Sequence, residues 1–319
     1  MHKLEGYAYP QDEINRNWKT VLRNQFHDIL PGSSITEVYQ DSEAEYAQVL
    51  TSSEGHLRDA LTALAAKVDL DGEKLVVFNS LSWARGGAVR LPWDDRLAGK
   101  AFIDDSGTAL DCRVLETASD KILEVEVPEI PSLGYKAFRI VEKAAAKEGP
   151  TNPAEFVRID GNTIESPYYR IVLNKAGQIT SLFDKEAGRE VVPAGMAANV
   201  IEAFEDKPMN FDAWDIDIYY REKPYAVQYP AQWEVLESGP SRVVLAFEWQ
   251  FLQSTIKQQM IVYANRRRID FKTEVDWHEH QVLLKAAFPV AVRSTKATYE
   301  IQFGNVERPT HWNTSWDYA

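Results

Sequence analysis

Asn24-Gln25-Phe26-His27-Asp28-Ile29-Leu30-Pro31-Gly32-Ser33-Ser34 separates two helical patterns. A histidine and an aspartate stand side by side ahead of Pro-Gly, and Ser-Ser then opens the next helix. A metal-ligating residue type and a carboxylate therefore share one sharp corner. Upstream, Ile14, Trp18, Val21, Leu22 and Phe26 recur at spacings of three and four, which predicts a helix with one buried face. Downstream, Ser34 and Glu37 form a capping-box pattern, and Ile35, Val38, Tyr39, Tyr46, Val49 and Leu50 continue a helical stripe. Gly55 is a point at which that stripe can break, before Leu57, Leu61, Leu64 and Val68 resume it. The prediction over residues 1–70 is an antiparallel bundle of two or three helices, turned at Pro31-Gly32.

From Lys74 the period changes. Leu75 to Asn79, Gly87 to Leu91, Lys100 to Ile103, Ile122 to Val127 and Tyr135 to Val141 are short strand-like runs between turn residues, giving a small β-domain over 71–145. Glu142 to Pro153, with three consecutive alanines and then Gly149-Pro150, reads as an exposed linker. Residues 146–319 are strand-rich again, from Tyr168–Leu173 through Arg242–Phe251, Thr255–Tyr263, Ile269–Trp277 and Val282–Val290. Short connections between such strands predict a large antiparallel sandwich. The last residues, Trp316-Asp317-Tyr318-Ala319, follow a strand-like run and are still aromatic, so the sandwich is expected to continue beyond them. The short lead into the first helix carries the same expectation for the other end.

Bulk properties narrow the function. With 45% hydrophobic and 26% charged residues in 319, the chain is of ordinary folded composition. A formal charge of −13 disfavours nucleic acid or an anionic membrane as the main partner. The single cysteine, Cys112, permits no internal disulfide, and with no apolar leader or membrane-length apolar run the expected home is the cytoplasm. Asn313-Thr314-Ser315 matches a glycosylation sequon, which carries no weight in that setting. No Gly-rich phosphate loop, G-x-S-x-G elbow, paired CxxC or HExxH helix is present, so nucleotide, serine-hydrolase and zinc-protease chemistry lack support.

Three clusters could carry chemistry. His27 has no second histidine or cysteine at zinc spacing, so any co-ligands come from far along the chain or from outside it. His278-Glu279-His280, if on a strand, would set both imidazoles on one face about 7 Å apart. A solvated strand face explains that pattern better, since no third ligand is evident. In Asp212 to Tyr220, Asp215 and Asp217 would share a strand face beside Trp214, Tyr219 and Tyr220. Carboxylates beside aromatic rings suit a sugar site, and solvent-facing acids on a loop fit nearly as well.

Three blocks in order make the sequence similar to the glycoside hydrolase family 38 α-mannosidases. They are Asn24 to Ser34; Phe78-Asn79-Ser80-Leu81-Ser82-Trp83 with Arg85; and a C-terminal series. That series includes Ile164-Glu165-Ser166, Ile179 to Leu182, Asp212 to Asp217, Trp277-His278-Glu279, Leu284-Lys285 and Arg308 to His311. The Gln-Phe-His-Asp-Ile-Leu-Pro-Gly-Ser form resembles the bacterial and cytosolic branch. The resemblance implies a helical middle domain, a small β-domain and a galactose-mutarotase-like sandwich. These would follow a β/α barrel that no motif of this sequence matches. It implies His27 as one ligand of a divalent metal, most simply zinc, and Asp28 as a residue hydrogen bonding the bound sugar. The metal's other ligands, the nucleophile and the acid/base would lie in the barrel, so no catalytic residue is assigned here. His278 and His280 acquire no metal role.

The implied function is part of a metal-dependent retaining α-mannosidase acting on terminal α-mannosides, with this portion inactive alone and a homo-oligomer possible. The alternative is a non-catalytic carbohydrate-binding β-sandwich module.

Overall fold

The structure, a computed structural model, describes residues 8–116, 121–147, 156–227, 233–239, 241–301 and 304–311. It divides into two compact units, Met1–Thr151 and Asn152–Ala319. The described residues form two α-helices and otherwise mostly antiparallel sheets.

The first unit opens with α1 (Gln11–Asn24) and α2 (Thr36–Ala65). They run antiparallel, because Glu13 and Asn17 reach Ser52 while Arg23 and Asn24 reach Glu45. α2 passes through Gly55 without a break. The seam is largely polar: Asn17 Nδ2 donates to Ser52 Oγ at 3.0 Å, and Ser52 Oγ donates to Glu13 Oε1 at 2.7 Å. That reverses an expectation. The face carrying Trp18, Leu22 and Phe26 is exposed, as are Leu30, Ile35, Leu50 and Leu57. Two helices in contact along one line cover only one stripe of each, and here the stripe they cover carries the hydrogen bonds. The capping box also fails to form. The N-cap of α2 is Ile35 with no side-chain cap bond, because the Ser34 hydroxyl turns back to the Asp28 carbonyl.

Six strands complete this unit: β1 (Lys74–Phe78), β2 (Arg85–Pro92), β3 (Lys100–Ile103), β4 (Cys112–Glu116), β5 (Lys121–Ile130) and β6 (Tyr135–Glu142). They form two three-stranded sheets, β1-β6-β3 and β2-β5-β4. The two share a core of Phe102 and Phe138 against Leu123, Val125, Val127 and Ile130. Asn79 explains the Phe78-to-Trp83 motif as structure. Buried, it donates to the carbonyls of Trp83 (2.7 Å) and Pro131 (3.1 Å) and accepts from Leu81 N (3.1 Å), joining two turns through one amide. The stretch read as an exposed linker is partly tied down. Lys147 N donates to Gly107 O at 3.0 Å and Lys147 Nζ to Ser106 O at 2.7 Å. Residues 148–155 of that stretch lie outside the described residues.

The second unit carries β7 (Arg158–Asp160), β8 (Thr163–Glu165), β9 (Tyr169–Leu173), β10 (Ile179–Asp184), β11 (Arg189–Glu190), β12 (Val200–Glu205) and β13 (Pro224–Tyr225). It continues with β14 (Glu234–Ser238), β15 (Arg242–Phe251), β16 (Ser254–Tyr263), β17 (Ile269–Asp276), β18 (Val282–Ala287), β19 (Lys296–Ile301) and β20 (Gly304–Pro309). The sheets are β11-β10-β9-β8-β7, β13-β12-β18, β14-β15-β16-β17 and the hairpin β19-β20. One core joins the first three: Ile164, Ile171 and Ile179, then Ile201, then Val243, Leu245, Phe247, Trp249, Ile256 and Met260. Every second residue puts Val243, Leu245, Phe247 and Trp249 of β15 and Ile256 and Met260 of β16 inward, and the ten-residue pairing of the two strands from Arg242↔Tyr263 to Phe251↔Ser254 has no slip. Gly177, at φ +76°, lies where a Cβ would collide with the Phe247 ring, so both its conformation and its surroundings require glycine.

Candidate functional site

The corner is built from its backbone outward. α1 ends at buried Asn24, whose Nδ2 donates to Glu45 Oε2 at 2.7 Å and to Thr20 O at 3.0 Å. The chain then tightens: Ile29 N donates to Phe26 O at 2.9 Å, and Gly32 N to Ile29 O at 3.2 Å, with Gly32 at φ +83°. The main-chain oxygen of Asp28 is the focus. It accepts from Ser34 Oγ at 2.8 Å, and the Tyr39 hydroxyl, itself accepting from Ser34 N at 3.1 Å, lies 3.3 Å away. The backbone carrying His27 and Asp28 is thus held from both helices.

The side chains on that backbone are free to act. The His27 side chain is 74% exposed, and its ring lies against Phe26 with centroids 4.3 Å apart. Nε2 of His27 is 3.5 Å from Asp28 Oδ2, an electrostatic contact too long to lock the ring. One exposed imidazole, with a half-buried carboxylate beside it, therefore stands at the end of an exposed apolar stripe. Among the described residues no group of three or more His, Cys, Asp or Glu could hold a metal ion. Zinc takes three or four protein ligands, so this corner can supply only part of such a site.

The other two sequence candidates sit in loops, contrary to the strand geometry expected of them. β17 ends at Asp276, so His278-Glu279-His280 lies in the β17–β18 connection and has no common strand face. His278 Nε2 is 3.0 Å from Asp276 Oδ1, and Glu279 locks the loop by accepting from Gln253 N (2.8 Å) and Ser254 Oγ (2.9 Å). Asp212–Asp217 likewise lies in the connection after β12, before a short 3₁₀ turn at Ile218–Glu222. Aspartates and a tight turn at Phe211, whose φ is +55°, defeat the alternation that the sequence pattern suggested. Burial, then the negative charges of Asp212 and Asp217, raise the pKa of nearby Asp206 from its ordinary value.

Sequence reading missed the anchor of this loop. Tyr220 is buried edge-on against Phe204, and its hydroxyl accepts from Lys285 Nζ at 2.8 Å, 65 positions away in the chain. Leu284-Lys285 was visible only as part of a motif, and a pairing over such a distance leaves no local signal.

Comparison with known proteins gives two matches by domain. The description "Alpha mannosidase middle domain" matches residues 1–64, and "Glycosyl hydrolases family 38 C-terminal domain" matches residues 164–319. Alpha-mannosidase 2C1 of Homo sapiens is 31% identical over 321 residues, covering 98% of this chain and 28% of the human protein. Alpha-mannosidase G of Dictyostelium discoideum is 29% identical over 352 residues, covering 99% of this chain and 31% of that protein. The chain therefore spans less than a third of the length of these relatives. In structure it is similar to an alpha-mannosidase from Enterococcus faecalis V583, with a TM-score of 0.75 over 99% of this chain and 43% of that one. At 15% identity that likeness speaks for the fold alone.

Proposed function

Because the chain belongs to glycosyl hydrolase family 38, we propose that it forms the middle and C-terminal part of a metal-dependent, retaining α-mannosidase acting on terminal α-mannosides. In this reading α1 and α2 belong to the family's helical middle domain, residues 71–145 are the small β-domain, and the second unit belongs to its large sandwich.

The observation that carries the reading is the His27 corner. A fixed backbone, an exposed imidazole and an exposed apolar stripe of Trp18, Leu22 and Phe26 leading up to it make a surface fitted to be covered. Exposed apolar area of this extent is costly in water, and a covering domain removes that cost. The domain that covers it would bring the remaining metal ligands, the nucleophile and the acid/base group.

The donor set fits zinc as one ligand and no more: an exposed imidazole on rigid backbone is a suitable first-row metal ligand. When bound, the metal would act as a Lewis acid that orients the mannose hydroxyls toward an oxocarbenium-like transition state. Asp28, half-buried beside His27, would accept a hydrogen bond from one of those hydroxyls and so orient the sugar. With one cysteine and no disulfide, a cytoplasmic location completes the proposal.

The test is an assay on an aryl α-mannoside with this chain alone and with the longer polypeptide. The longer form is expected to hydrolyse it and the chain alone is not. Hydrolysis by the chain alone, lost on His27→Ala, would overturn the proposed division of labour.

A further inference from the structure

Inside the apolar core of the second unit runs a short polar chain. Asn199, the residue before β12, donates from Nδ2 to Gln258 Oε1 on β16 at 2.7 Å, and Gln258 Nε2 donates to Thr273 Oγ1 on β17 at 3.1 Å. Thr273 is exposed, whereas Gln258 and Asn199 are 4% and 2% exposed. The chain of bonds therefore runs from the edge of one sheet to the start of a strand in another. It stops there, because Asn199 Oδ1 is buried and meets no donor among the described residues. Turning both amides end for end moves the deficit to Nδ2 and does not remove it. A second unmatched atom lies in the same core: Trp249 Nε1 on β15 is buried and meets no acceptor among the described residues. Register sets the two in one neighbourhood. Gln258, the partner of Asn199, stands opposite Phe247, and Trp249 follows two residues on, along the same inward face.

Neither group is free to turn toward the other. Asn199 is fixed by its bond to Gln258 and by a backbone at φ +58°, a conformation that asparagine takes more readily than most side chains. The Trp249 ring is stacked on Phe247 with centroids 5.8 Å apart, and Phe247 is itself wedged against Gly177, where no Cβ would fit. We infer that a buried water molecule joins them, accepting from Trp249 Nε1 and donating to Asn199 Oδ1. The two atoms select the occupant. An indole N–H only donates and an amide oxygen only accepts, so a cation would oppose the first and an anion the second. Water does both, and it is small enough for a packed core. Leaving the two atoms dry would cost the desolvation of each with nothing in return. With the water in place, the start of β12 is tied to β15 as well as to β16 and β17. A directional polar path then crosses between two sheets that the apolar core joins only by non-directional contact.

The experiment pairs a crystal structure of the protein, at a resolution that shows ordered solvent, with NMR cross-relaxation between water and the indole N–H protons. An oxygen is expected within about 2.7–3.2 Å of both atoms. The Trp249 indole proton is expected to show a cross-peak to long-lived water. Trp249→Phe, its fold confirmed by circular dichroism, should remove that cross-peak and leave those of the other tryptophans. Asn199→Gly, which tolerates the positive φ and deletes the amide, should abolish it too. A direct bond between Trp249 Nε1 and Asn199 Oδ1, a dry site in the crystal, or a Trp249 indole without the cross-peak overturns the inference. Should either variant fail to fold, the crystal structure and the spectrum of the unaltered protein decide it.

Discussion

The hydroxyl of Ser34 donates to the main-chain oxygen of Asp28 at 2.8 Å, reaching back six residues across Pro31-Gly32. This bond, and not a helix cap, is what Ser34 contributes, and it holds the backbone from which His27 projects. Removing it with Ser34→Ala should cost about 1 kcal/mol of local stability. In the longer polypeptide it should also lower zinc affinity by about tenfold, the usual effect of losing a group that orients a ligand. Metal titration against a competing chelator would measure this. Unaltered affinity would mean that the Tyr39 and Ser33 hydroxyls, 3.3 and 3.4 Å from the same oxygen, suffice to fix the corner.

Burial of Glu124 in β5 sets a second expectation. Its carboxylate, 2% exposed, accepts from Arg90 Nε of β2 at 2.9 Å, and Arg113 Nε of β4 is 3.6 Å away. Glu124→Ala would remove one of the carboxylates facing the largely buried Arg113, which also pairs with Asp111 at 3.0 Å, and should cost about 3 kcal/mol, whereas Glu124→Met, which fills the space, should cost less. Urea unfolding of the three forms would read the difference. Equal losses would show that charge, not volume, decides the site.

Alkaline pH should weaken the second unit through Tyr263. Burial, together with the hydrogen bond its hydroxyl donates to Asp270 Oδ2 at 2.9 Å, raises its pKa to about 12 from 10.0. The folded state then holds its proton longer than the unfolded state. Stability contributed by Tyr263 is complete below pH 10.0 and is lost as pH rises toward about 12. Tyr263→Phe should flatten that decline in denaturation measured at stepped pH. A decline of undiminished slope would assign it to other groups.

Trp18 tests whether the apolar helical face is covered in the longer polypeptide. In the 319-residue chain Trp18 is exposed, so Trp18→Ala should change stability by no more than about 0.5 kcal/mol. Beneath a covering domain the same change should cost about 3 kcal/mol or more. Thermal unfolding of both forms decides between them.

The sequence made both helices legible, since stripes at three- and four-residue spacing leave little choice, and the long strands of the second unit were legible from alternation. It did not reveal what the stripes would meet. Periodicity says that Trp18, Leu22 and Phe26 share a face, but not whether the chain contains anything to cover it. Asp215, Asp217, His278 and His280 were misplaced for a different reason. Period two was read into segments that hydrogen bonds accepted by Asp217 and Glu279 hold as loops. Tyr220 with Lys285 could not be read at all, because contacts over that sequence distance depend on the register of β12 with β18.

The central claim is that His27 gives one ligand to a metal site completed by residues from outside this chain. Zinc content per polypeptide, measured by elemental mass spectrometry on the longer protein, tests it most directly. His27→Ala should reduce bound zinc at least tenfold under a fixed chelator concentration, while His278→Ala, altering a loop histidine with no proposed metal role, should leave it intact. Full zinc occupancy in His27→Ala would contradict the account.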